Sequence, residues 1–204
     1  MQLAHTPQSD ERSIEILCSV RQAFVEKGFD GASMQDLARA AGMSVGNFYR
    51  YFPSKAAIIQ ALIALDLTEI KREFAAILGS PAPMDTLRQV IRHRITADIR
   101  HGNEELWTEI EAAARRSPEI GAAAQQMEAE LAQALLGVFA AETGLTQKEA
   151  TDRFSASAAF VLVLFKAASC MNCATNVDQS ELKSMIIRTI EKTLDDVANS
   201  AQKA

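Results

Sequence analysis

Helix start and stop signals follow one another so closely along this chain that no sheet fits between them. The prolines, at positions 7, 53, 81, 83 and 118, stand where a helix can begin or a loop can run. The one Asp-Gly pair, Asp30-Gly31, has no alternating apolar runs around it to make it a hairpin signal, and no alternating apolar run anywhere is long enough for a sheet. The chain therefore reads as all-α, with about nine helices.

The first helix is expected from near Ser9 to Glu26, with Ile14, Leu17, Val20 and Phe24 on its apolar face and Gly28 as its stop. Cys18 is expected in the core of that helix. Ser33 caps a short second helix, with Asp36 in capping-box position, and the helix stops at Gly42. Ser44 caps a short third helix through about Tyr51. Ser54 opens a long fourth helix that runs to Leu78, before a loop containing Gly79, Ser80, Pro81 and Pro83. Helices are then expected over about 85–101 and 103–116. Another starts at Ser117-Pro118 and ends at Gly144. Thr146 with Glu149, and Asp178 with Glu181, are capping boxes for two long final helices. The reading divides the chain into a head over residues 10–70 and a helical body over 71–204.

Charge separates these parts. The chain carries 21 Lys and Arg against 26 Asp and Glu, a net charge of −5. Residues 1–60 are balanced, so the excess acid lies entirely in the remainder. This excludes a uniformly basic nucleic-acid coat while leaving room for a local DNA-reading surface. The cysteines (Cys18, Cys170, Cys173) cannot staple a fold of this size. They point to a reducing compartment, and the polar N-terminus lacks a secretory signal, so a cytoplasmic location is expected.

Residues 33–52 carry the most information. Leu37 and Ala41 are spaced i, i+4, as are Phe48 and Phe52; with Met43 they can close a small core between crossed helices. Ala38 is small where backbones approach, and Gly42 supplies the positive φ of a sharp turn. This is a helix-turn-helix layout, in which the second helix enters a DNA major groove. Val45, Asn47, Arg50 and Tyr51 project away from the Phe48/Phe52 face, and Gly46 removes a side chain where DNA would come close. Asn and Arg pair with base edges, and Val contacts a thymine methyl. Tyr49 and Tyr51 offer hydroxyls to phosphates, and Ser33 and Ser44 expose backbone N–H groups at helix starts. Lys55 opposes the helix dipole in the first turn of its helix, a conflict that a docked phosphate would relieve.

The run from Gly31 to Lys55, with its Ser-Met-Gln-Asp-Leu-Ala, Ala-Gly-Met-Ser, Gly-Asn-Phe-Tyr and Tyr-Phe-Pro-Ser-Lys blocks, resembles the TetR/AcrR family of bacterial transcriptional regulators. Met43 departs from the branched aliphatic residue common there, and Tyr51 from a frequent His. The resemblance implies a homodimer whose first three helices bind double-stranded operator DNA. Ser33, Ser44, Tyr49, Tyr51 and Lys55 would grip phosphates, while Val45, Gly46, Asn47 and Arg50 would face bases. Helices four to seven would enclose a small-molecule effector, and the last two (about 147–173 and 178–199) would form the dimer interface. A ligand-released repressor of a palindromic operator is the expected function, with no enzyme activity, cofactor or metal.

Trp107 forms an apolar stripe with Ile110 and Ala114 that would border the effector cavity; Glu111, Met127, Phe160 and Leu164 are the other candidates for its lining. Glu109 and Glu111 suit either a cationic ligand or, by default, solvent. Residues 158–165 are apolar nearly all round, as in a helix covered on several sides. Cys170 and Cys173 share a helix face, so a thiol-redox or enzymatic helical protein is one alternative. A transcriptional activator of the same fold and a purely structural helical partner are others. No general base, metal set or phosphate loop appears at a recognisable spacing to support an enzyme.

Overall fold

A computed structural model describes residues 7–96, 103–169 and 178–200. Their elements are helices throughout: α1 (Pro7–Gly31), α2 (Met34–Ala40), α3 (Val45–Tyr51), α4 (Lys55–Leu78), α5 (Pro83–Thr96), α6 (Asn103–Ala114), α7 (Pro118–Thr143), α8 (Gln147–Ser169) and α9 (Gln179–Ser200). No described helix is long and apolar enough to cross a membrane. Cys170 and Cys173 lie outside the described residues.

The local signals act where the sequence puts them. Ser33 and Asp36 form a complete capping box, and Ser44 Oγ accepts the Asn47 N–H. Thr146 and Glu149 cap each other in the same way, which holds the Glu149 carboxyl below its usual range. Asp178 accepts the N–H groups of Ser180 and Glu181. α5 starts at Pro83, earlier than expected, because a proline at the first helical position loses no hydrogen bond. Gly28 interrupts α1 at φ 70° and ψ 167°, and the helix resumes for one short turn to Gly31.

The contacts group into two compact units, one from the described parts of residues 1–68 and 100–127, the other from those of 69–99 and 128–204. In the first, α1 packs on α2 and α6, and α2 packs on α3. Its core includes Leu17, Val20, Phe24, Leu37, Phe48, Leu62 and Ile110, each at most 4% exposed. The α1 stripe is Ile16, Leu17, Val20, Ala23 and Phe24. That corrects two expectations: Ile14 is 43% exposed and Cys18 is exposed, since neither lies on the side of the helix that this stripe occupies. Arg21 of α1 donates to Asp66 of α4 at 2.6 Å, with side chains 16% and 7% exposed, clamping those helices together.

In the second unit, α8 and α9 pack side by side and α5 lies against both. α5 contributes Met84, Leu87, Ile91 and Ile95, and α9 contributes Ile186, Ile187, Ile190, Leu194 and Val197. Phe139 of α7 meets Phe154 of α8 edge to face, ring centres 6.2 Å apart. Between α5 and α9, Arg88 pairs with Glu191 and Asp195, and Arg92 pairs with Glu191. Burial pushes the Glu191 carboxyl up, but the two guanidiniums outweigh it and hold the group below its ordinary value.

Candidate nucleic-acid interface

The exposed face of α3 rests on a very small apolar base. Leu37 and Ala38 of α2 and Phe48 of α3 are fully buried; Phe52 is nearly so, its ring centre 6.0 Å from that of Phe48. Ala41 and Met43 are half-buried at the edge of this core. Gly42 takes φ +64° between the helices. With Phe48 turned inward, helical geometry sends Val45, Asn47, Tyr49, Arg50 and Tyr51 outward, and all of them are exposed.

Gly46 belongs to this face. Its φ is not positive, and a Cβ built there would meet nothing within 4 Å. Neither backbone conformation nor packing inside the subunit calls for glycine at that position. The first turn of α3 holds no acidic residue, and Ser44 makes a long cap bond of 3.4 Å to Asn47.

The two outlying residues of the expected site are already engaged within the chain. The Asp36 carboxylate accepts the Ser33 N–H at 3.0 Å and its hydroxyl at 2.5 Å, and takes the Lys27 ammonium at 2.6 Å. Lys27 and Ser33 hold the Asp36 carboxyl far below the usual carboxylate range. A negative group therefore occupies the start of α2, where a phosphate had been expected. Lys55 donates to the carbonyls of Phe29 (2.7 Å) and Asp30 (3.2 Å), and its Nζ sits 4.9 Å from the Phe29 ring centre. Those carbonyls relieve the helix-dipole conflict, the role the sequence reading gave to DNA.

The expected effector residues fall in both compact units. Trp107 and Glu111 are half-buried on α6, and Ile110 and Met127 are core residues of the first unit. Leu164 is half-buried against the core of the second unit. Phe160 is 46% exposed on α8, beside Val163 at 61%. The second unit has an open hollow of about 550 Å³ along Lys71, Phe74, Leu78, Glu130, Gln133 and Gln147. Another, of about 710 Å³, runs along Arg92, Thr96, Arg188, Glu191 and Lys192. None of the six expected residues lines either hollow.

Glu109, whose spacing suggests nothing beyond solvent, has a partner in the fold. It is half-buried, and its carboxylate accepts the Phe29 N–H at 2.9 Å. The partners stand 80 residues apart, and no local spacing signals such a pair.

Residues 16–62 match the family model described as bacterial regulatory proteins, tetR family. The HTH-type transcriptional regulator EthR of Mycolicibacterium smegmatis is 42% identical over 57 residues, which cover 28% of this chain and 26% of that protein. The chain thus spans about a quarter of that relative's length. Salmonella enterica GusR superposes with a TM-score of 0.72 at 21% identity, covering 96% of this chain and 98% of that one. AibR, solved in complex with isovaleryl coenzyme A and operator DNA, superposes at 0.62 with 18% identity over 88% of this chain and 97% of its own. Agreement at those identities is agreement in fold. Residues 16–62 thus carry the tetR-family model, and the fold along the chain is that of these solved regulators.

Proposed function

We propose that the protein is a ligand-responsive, DNA-binding transcriptional regulator, a repressor that leaves a palindromic operator when a small molecule binds. The observation that carries the reading is the exposed face of α3: base-reading side chains around a glycine that nothing inside the subunit requires. Arg50 and Asn47 pair with base edges, Val45 meets a thymine methyl, and Gly46 lets the backbone approach the groove. Ser44, Tyr49 and Tyr51 take phosphates. Ser33 and Lys55 contribute only as far as their partners inside the chain release them.

A second copy covers α8. Phe160 and Val163, with Ala156, Ala159 and Ala167, leave an exposed apolar strip on this helix, and Met185 of α9 is 51% exposed. Solvent is a poor neighbour for such a strip, whereas the same strip on a second subunit is self-complementary. The dimer then sets two copies of α3 in successive major grooves, about 34 Å apart or slightly more.

For the effector, AibR offers a precedent of the same fold holding both operator DNA and an acyl-coenzyme A. Trp107 and Glu111, half-buried on α6, are the proposed contacts. Trp107 is the chain's one tryptophan, so its fluorescence reports effector binding. The reading is tested by footprinting the purified protein on the DNA upstream of its own gene. Protection of a near-palindromic site supports it; uniform cleavage at every protein concentration refutes it.

A further inference from the structure

Phe29, next to the Gly28 break, uses both peptide polar groups on charged side chains from distant helices. Its N–H donates to Glu109 of α6 at 2.9 Å. Its carbonyl accepts from Lys55, the first residue of α4, at 2.7 Å. Lys55 also reaches the Asp30 carbonyl, and the Asp30 carboxylate pairs with Arg116, just past the end of α6, at 2.8 Å. Gly28 makes room for this arrangement. It sits at φ +70°, and a Cβ there would come within 3.1 Å of Glu109 Oε2. Three residues separate Tyr51, the end of the reading helix, from Lys55.

We propose that Glu109 is the positioning residue through which α6 holds α3 in its DNA-reading orientation. The proposal deepens the regulator reading and rests on it. When α6 shifts, the Glu109 carboxylate withdraws and a half-buried N–H loses its partner. The 28–30 segment then relaxes, and the carbonyls that anchor Lys55 move with it. The corner between α3 and α4 follows. Effector binding beside α6 thus reaches the reading helix through α1, with hydrogen bonds exchanged and no covalent step.

The test compares wild type with Glu109→Ala, which removes the acceptor, and Glu109→Gln, which keeps an acceptor oxygen. Glu109→Asp, which keeps the charge and loses reach, serves if Glu109→Ala does not fold. Affinity for the upstream DNA is read by fluorescence anisotropy, exchange of the 28–32 amides by mass spectrometry, and folding by thermal melting. Glu109→Ala, or Glu109→Asp in its place, is expected to lose about tenfold in affinity, on the scale of part of one charge-assisted hydrogen bond. Exchange at 28–32 speeds up in that variant, while Glu109→Gln stays close to wild type in both. Wild-type affinity and exchange in the truncated variant overturn the proposal. So does an equal loss in the truncated and Gln variants that merely tracks the melting temperature. If the wild-type chain itself ignores the upstream DNA, the regulator reading has failed before Glu109 is tested.

Discussion

Gly46 and Arg50 separate stability from function most cleanly. Gly46→Ala adds a Cβ to open space and removes the conformational freedom of glycine, so the head should keep or gain stability, by up to about 1 kcal/mol. Operator affinity should fall in the same variant, because the new methyl group stands where the groove wall must come. Thermal melting and DNA titration of one sample check both signs. Arg50→Ala should cost about 1–3 kcal/mol of operator binding and relax preference at one base position. Asp36 makes the pH prediction. Its carboxyl titrates lower in the folded head than in the unfolded chain, so the unfolded state binds more protons in acid. The stability it contributes is complete above about pH 4 and drains away as pH falls toward the folded value. An NMR titration should place its midpoint below the ordinary 3.8, and Lys27→Ala should raise it; an ordinary midpoint in the wild type contradicts the geometry.

Among the elements, short-range chemistry was legible and long-range chemistry was not. Ser33 with Asp36, Thr146 with Glu149 and the turn at Gly42 join residues a few positions apart, so their spacing names their partners. The exposed face of α3 was legible because Phe48 and Phe52 fix which side points inward. Glu109 and the Arg21–Asp66 clamp were not, since their partners are 80 and 45 residues away and only the packed helices bring them together. Spacing alone makes Lys55 look like a residue awaiting phosphate, because its carbonyl partners lie on another helix. Cys18 shows a different limit: an amphipathic helix fixes the period of its stripe more firmly than the stripe's edges. The clamp gives an element-scale test. Asp66→Ala removes the nearly buried carboxylate that ties α1 to α4 and should cost about 1–3 kcal/mol in urea denaturation. A loss near zero would mean that the pair does not hold α1 to α4.

For the whole molecule, residues 1–60 are charge-balanced and the rest is acidic, so under the proposed reading DNA is attracted by a small surface only, and binding should depend on dimerisation and weaken steeply with salt. Val163→Glu places a charge on the apolar strip of α8 and should convert dimers to monomers by light scattering without unfolding them. A wild-type chain that is monomeric at micromolar concentration would remove the strip's proposed partner. Whether the outer face of α3 reads an operator is decided by titrating the upstream DNA and a scrambled duplex with wild type, Asn47→Ala and Arg50→Ala at one fixed salt concentration. Wild type should prefer the upstream sequence, and each variant should lose much of that preference while melting like wild type. Equal affinity of all three proteins for both duplexes would contradict it.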